Sequence, residues 1–221
     1  MTLPRDTVVP GMLAEYRTFE VLVRAQSGDS WGTPTRCDGW RVADVAAHVI
    51  GQLTDVVNLR LDDLGSPGAT ARQVAERSGR PPEELADELA EGTTTAAALV
   101  GAFDEAAWDA PVAGSSVGSL GLGLESLWFD TFLHADDIRA ALGQHEEEDG
   151  SLTASVSHIA QVLTEQGWAA ATLSFDETPA FAVSGGGGRT ISGKAMPFIL
   201  ASTGRADPAV LGLDPSVNIY R

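Results

Sequence analysis

The chain has 221 residues, 43% of them hydrophobic and 20% charged. That is enough for one large domain, or for a medium domain with a small companion, and it is the composition of a globular chain with ample core material. Lys+Arg number 14 against 31 Asp+Glu, a formal net charge of −17, which repels phosphate backbones and removes nucleic acid from the expected partners.

Cys37 is the single cysteine, so no intrachain disulfide is available and a reducing, cytoplasmic location is expected. Charges come too early and too often in the first twenty residues for a signal peptide. No apolar run reaches the ~18 residues that would suggest a membrane span, so no membrane partner is expected.

Taken in chain order, Met12, Leu13, Tyr16, Phe19 and Val23 predict a helix over 11–27, ended by Gly28. The stretch 27–40 is rich in Gly, Pro, Ser and Asp and predicts a loop, packed because it carries Trp31 and Trp40. Val42, Val45, Ala46, Val49, Leu53, Val56 and Val57 predict a second helix over 42–64, broken by Gly65, Ser66, Pro67 and Gly68. Pro81-Pro82-Glu83-Glu84 opens a third helix, about 82–107, with proline in the first turn and acids at the positive end of the dipole. A loop is expected over 109–118. A fourth helix, about 119–143, is apolar almost all round and so belongs inside a bundle.

The acidic run Glu146–Asp149 followed by Gly150 reads as a solvated linker. It divides an N-terminal domain, 1–145, from a small α/β domain, 151–221. In that tail a helix at 152–172 is expected, then a hairpin of Ala180–Val183 and Thr190–Ile191 around Gly185–Gly188. A helix near 194–203 and a last strand near 217–220 complete it.

Two glycine motifs carry no nucleotide. Gly188–Ala195 reads GRTISGKA, which misses the phosphate-loop pattern at its last place, where Ala195 lacks the magnesium-binding hydroxyl. Gly118, Gly121 and Gly123 are small residues at the entrance of a buried helix. Cys37, with no base beside it in sequence, reads as a small packing residue.

Histidine occurs four times, and His48 and His134 fall in predicted core helices. Asp130 and His134 are four apart, hence one turn apart on one face, and Asp137 extends the stripe. A carboxylate and an imidazole within an apolar helix are costly to bury unless partnered. They pair with each other, or they share a metal ion. His48 sits at the edge of its helix's apolar stripe, where it can face a neighbouring helix. Two histidines and one carboxylate suffice for a divalent ion with open positions. Spacing leaves both readings open.

The string WGTPTRCDGWRVADVAAHV at 31–49 resembles the N-terminal signature of the mycothiol-dependent maleylpyruvate isomerase family, within the DinB-like superfamily. Trp31, Pro34, Thr35, Cys37, Gly39, Trp40, Val42, Asp44, His48 and Val49 carry the match. Asp130-x-x-x-His134-x-x-Asp137-x-Arg139 resembles that family's E-x-x-x-H-x-x-D motif. The likeness covers the first ~145 residues well and the tail, with Gly204-Arg205, more loosely.

The resemblance implies a mainly α fold: a DinB-like four-helix bundle followed by a small α/β C-terminal domain. It implies a divalent metal on His48, Asp130 and His134, zinc foremost with nickel, iron or manganese as alternatives. Mycothiol is the implied thiol cosubstrate, so the expected partners are a low-molecular-weight thiol and a small-molecule substrate; a homodimer is compatible with the likeness. The implied function is an isomerase or S-transferase in which metal activates the thiol for attack on a small electrophile such as maleylpyruvate. A metal-dependent hydrolase and a non-catalytic ligand-binding bundle are the alternatives.

Asp137 is a candidate to orient a ligand histidine, and Arg205 a candidate to hold a substrate carboxylate. Two departures from the family stand out. Asp130 replaces Glu, one methylene shorter. Arg41 replaces a Thr or Ser helix cap, at a cost of roughly 1 kcal/mol that Asp44 offsets in part.

Overall fold

The computed structural model describes residues 3–111, 118–144 and 150–220. It divides into two compact units, Pro4–Glu146 and one that carries Glu147–Arg221. The expected linker, Glu146–Asp149, and His145 lie outside the described residues, as does most of the expected 109–118 loop.

In the first unit the long helices are α1 (Arg5–Arg24), α3 (Val42–Val57), α5 (Pro82–Ala102) and α7 (Leu120–Ala141), with shorter helices α2 (Gly28–Trp31), α4 (Pro67–Arg77) and α6 (Glu105–Trp108) between them. Helices α1 and α3 each pack against both α5 and α7, which makes a four-helix bundle with α1 and α3 on a diagonal. Tyr16, Phe19, Leu53, Leu89, Phe129 and Leu133 fill its centre. Glycine allows the closest approaches: a Cβ on Gly11 would stand 2.1 Å from the Trp128 ring, and one on Gly121 would stand 2.6 Å from Trp108.

The structure corrects several boundaries. The first helix begins at Arg5, directly after Pro4, and contains Pro10; Gly28 opens the one-turn α2 rather than closing α1. The second predicted helix stops at Val57, and Leu59 takes φ 57°. Ser66-Pro67, expected as a break, instead starts α4: the Ser66 side chain accepts from the Ala69 amide, and proline takes the first turn. Helix α5 ends at Ala102, and Asp104 caps the separate turn α6. At the start of α3 the Arg41 side chain caps nothing, but its backbone N–H donates to Asp44 Oδ2 at 2.9 Å, half of a capping box.

The second unit is small and mixed. Helix α8 (Gly150–Glu165) leads to strands β1 (Ala171–Phe175), β2 (Phe181–Val183) and β3 (Arg189–Gly193), then α9 (Ala195–Ser202) and two 3-10 turns, Pro208–Leu211 and Pro215–Val217. The expected hairpin is not formed. The order is β2-β1-β3, with β1 antiparallel to β2 and parallel to β3. The helix expected over 152–172 stops at Glu165 and the central strand starts at Ala171, and of the strand expected near 217–220 Val217 ends a 3-10 turn and the rest is turn or irregular. Ala171, Leu173 and Phe175 face inward, and Phe175 meets Phe198 of α9 at 5.1 Å between ring centroids. The GRTISGKA stretch is β3 followed by the start of α9, and Lys194 pairs with Glu177 at 2.9 Å. No helix among the described residues is long and apolar enough to cross a membrane.

Candidate metal centre

Helices α3 and α7 pack side by side, and their apolar faces carry His48, Asp130 and His134 to one place. Both imidazoles are buried. Their Nε2 atoms face the same carboxylate: His48 Nε2 is 3.5 Å from Asp130 Oδ2, and His134 Nε2 is 3.7 Å from Asp130 Oδ1. Candidate ligand atoms of the three residues all lie within 4.8 Å of one another. Ligands at zinc's usual 2.0–2.1 Å stand ~3.3 Å apart on a tetrahedron's edge, so the two contacts to Asp130 are already close to that spacing. Asp130, though shorter than Glu, reaches between the two rings.

Each imidazole is held from behind by its other nitrogen. His134 Nδ1 meets Asp137 Oδ2 at 2.8 Å. Asp137 is fully buried and accepts from Arg36 Nε at 2.5 Å and from the Cys37 thiol at 3.1 Å. Arg36 also pairs with Asp136. His48 Nδ1 meets Gln73 Oε1 of α4 at 2.8 Å. A carboxylate and an amide oxygen only accept, and at 2.8 Å they lie nearer than the Asp130 oxygens at 3.5 and 3.7 Å, so in the neutral rings both Nδ1 atoms carry the proton and both Nε2 atoms present lone pairs.

The loop before α3 supplies the outer wall. Thr35 N and Oγ1 both donate to Trp40 O, Trp40 N donates to Cys37 O, and Val42 N donates to Thr33 O. Gly39 turns the loop at φ 76°, a conformation suited to glycine. This winding puts the Trp40 ring 5.4 Å from His48 and 6.3 Å from His134, centroid to centroid. The two imidazoles meet edge to face at 5.2 Å.

Electrostatics follow from the carboxylate. Burial pushes the His48 imidazole down, but the Asp130 carboxylate and the Gln73 oxygen outweigh it, and the net shift is upward. The Tyr16 phenol, fully buried on α1, is pushed up by burial, a push that the neighbouring Thr131 hydroxyl opposes and the charge on Asp130 adds to.

His48, Asp130 and His134 therefore come together, and Asp137 stands behind His134 as the stripe on the fourth helix suggested. Arg205 belongs to the other unit, just past α9, where its Nη1 donates to Thr203 O at 3.2 Å. Cys37 departs from the packing role expected of it: it is partly exposed, and its thiol touches the carboxylate that holds His134. Sequence reasoning missed Gln73, because no helix is expected between the break at Gly65–Gly68 and Pro81. The missed signal was Ser66-Pro67 followed by Ala69, Gln73 and Arg77, four residues apart and all buried on one face. It also missed Arg36, which reaches Asp137 only through the folded loop.

Comparison with solved structures finds the crystal structures of the mycothiol-dependent maleylpyruvate isomerase and of a histidine-to-alanine mutant of it. Their TM-scores are 0.63 and 0.62, with 19% identity to each, covering 92% of this chain and 90% of theirs. At that identity the likeness is one of fold. Comparison with curated proteins returns no match. The family model described as the mycothiol maleylpyruvate isomerase N-terminal domain matches residues 12–139, which contain all three candidate ligands and both of the groups behind them, and by that match the chain belongs to the mycothiol maleylpyruvate isomerase family.

Proposed function

We propose that the chain is a metal-dependent, mycothiol-dependent isomerase or S-transferase acting on a small electrophile of the maleylpyruvate kind. One observation carries this reading: two imidazole Nε2 atoms and a carboxylate from two core helices converge, while both Nδ1 atoms are taken by acceptors. The family match and the fold of the isomerase structures support it.

A divalent ion on His48, Asp130 and His134, zinc before nickel, iron or manganese, would supply an open position where a thiol with a free pKa of about 8.5 is held as thiolate. The chain's own part is to present two lone pairs and one charge at fixed positions. Asp137 and Arg36 hold one imidazole, Gln73 holds the other, and Trp40 covers both rings against water. The reaction class is addition of the thiol across an activated double bond and its elimination, which returns the thiol and turns cis into trans. S-transfer uses the same attack on a carbon bearing a leaving group. Arg205 enters as a holder of an acidic group; Arg205→Gln is expected to raise KM for a carboxylate-bearing electrophile and to leave metal content unchanged.

The test is metal analysis of protein purified without a histidine tag, followed by assays with mycothiol, glutathione and no thiol over a panel of electrophiles. Bound divalent metal and turnover only with thiol are expected, both lost in His134→Ala with helix content kept. Metal-dependent turnover without thiol would replace this reading with a hydrolase working through activated water. Neither metal nor turnover would leave a ligand-binding bundle.

A further inference from the structure

We propose that Gln73, held by Asp55, is a positioning residue that fixes His48 in the tautomer with its proton on Nδ1 and its lone pair on Nε2. This brings α4, which supplies no candidate ligand, into the construction of the centre. Its consequence for metal binding rests on the reading given under Proposed function; the tautomer itself does not.

The relay starts at Asp55, on α3 and fully buried. Its carboxylate accepts from Arg60 Nη2 at 2.7 Å, from Arg72 Nη1 at 3.2 Å and from Gln73 Nε2 at 2.7 Å. A carboxylate can only accept, so the Gln73 amide must present its NH2 to Asp55. The reversed amide would set its oxygen against a buried negative charge. With the NH2 committed, Oε1 is the atom left for His48 Nδ1, at 2.8 Å. An amide oxygen only accepts, and at 2.8 Å it lies nearer than the Asp130 oxygen 3.5 Å from Nε2, so the one proton of the neutral ring sits on Nδ1. In the neutral ring Nε2 then carries the lone pair, and Nε2 is the atom that faces Asp130.

The backbone is shaped for this contact. Gly51, one turn after His48, sits in the interior of α3, where glycine is a poor helix former. A Cβ there would lie 2.6 Å from Gln73 Cβ and 2.8 Å from Arg77 Nη1. Glycine lets α4 come close enough for the Gln73 amide to reach both Asp55 and His48. The two imidazoles are thus held by unlike groups, a carboxylate behind His134 and a neutral amide behind His48. Only the second transmits its orientation from a charge one residue removed.

Three variants of the full chain test this. Gln73→Met keeps the length of the side chain and removes both polar atoms. The double variant Asp55→Asn/Gln73→Glu reverses the relay, with an amide NH2 donating to a carboxylate that still accepts from His48 Nδ1. Gly51→Ala moves Gln73 without changing any polar group. The first readout is the 15N NMR spectrum of His48 in metal-free protein at alkaline pH. The native chain and the double variant are expected to show Nδ1 protonated and Nε2 bare, and Gln73→Met and Gly51→Ala a mixture of tautomers.

The second readout is zinc affinity by competition with a chelator. It should be kept in the double variant and weakened roughly 10- to 100-fold in Gln73→Met. A native His48 protonated on Nε2, or a tautomer unchanged in Gln73→Met, overturns the proposal. Should Gln73→Met fail to fold, Gly51→Ala decides by the same spectrum. If the tautomers behave as stated and the native chain takes up no zinc, the relay stands and the metal reading of the site falls.

Discussion

Asp137→Asn changes one atom at the most connected acceptor of the site. The native carboxylate takes three donors, from His134 Nδ1, Arg36 Nε and the Cys37 thiol. An amide of the same shape has one accepting oxygen and one donating nitrogen. If the oxygen turns to His134, the NH2 is driven against the Arg36 guanidinium, donor against donor. If the oxygen turns to Arg36, the NH2 donates to His134 Nδ1, and the proton of the neutral ring moves to Nε2. That proton sits where the ion would bind.

Loss of a partner that orients a metal-ligating histidine costs roughly 10- to 100-fold in metal affinity, about 1.4–2.7 kcal/mol. Folding of the metal-free chain should suffer less, about 1–2 kcal/mol, because Arg36 keeps Asp136 and its side chain is 26% exposed. The assay is zinc competition against a chromophoric chelator, with thermal melts of the metal-free and zinc-loaded forms. Zinc should raise the Tm of the variant by less than it raises that of the native chain. Zinc affinity unchanged in Asp137→Asn would refute the reasoning, since the carboxylate behind His134 would then have no bearing on the ion.

Other consequences can be checked separately. Cys37→Ser should keep zinc affinity and thiol-dependent turnover, because the hydroxyl still donates to Asp137 Oδ2; turnover lost with zinc still bound would make Cys37 the nucleophile. Gly11→Ala should cost about 1–3 kcal/mol of stability by overpacking α1 against α7, since the new methyl meets the Trp128 ring; an unchanged denaturation midpoint would contradict the close approach of these helices. Burial pushes the Glu88 carboxyl up, but Arg77, Thr54 and Arg80 outweigh it and hold it below its ordinary value. A depressed carboxyl contributes stability that is present above its unfolded pKa and is lost as pH falls through the folded one. Glu88→Gln should therefore lower stability at neutral pH and flatten its decline through the acidic side of the carboxylate range, and parallel pH profiles for the two proteins would exclude this role.

The four long helices could be read from the chain because each buries a broad apolar face, and burial on a 3.6-residue period is a local signal. What local signals hid was pairing at a distance. Strand β1 has only three inward residues, Ala171, Leu173 and Phe175, and its partners come from 181–183 and 189–193. With the central strand unrecognised, the two outer strands looked like a hairpin. Helix α4 was hidden by Pro67 and Gly68, which punctuate a loop or open a helix according to whether Ser66 caps.

The ligand stripe itself was visible, since Asp130, His134 and Asp137 share a face on any helix. The groups behind the ligands were not. Gln73 is neutral and sits on the unrecognised helix, and Arg36 and Cys37 reach Asp137 only because the 33–42 loop folds over α7. The orientation of the imidazoles, which decides what the site can hold, is a tertiary property.

The central claim is that His48, Asp130 and His134 hold one divalent ion. Anomalous diffraction at the zinc edge, from crystals of the native chain grown with zinc, tests it most directly. The account predicts one strong peak about 2.0–2.2 Å from His48 Nε2, an Asp130 oxygen and His134 Nε2. A peak instead on the neighbouring group of Cys37, His134 and Asp137, or no peak within reach of His48, would contradict it.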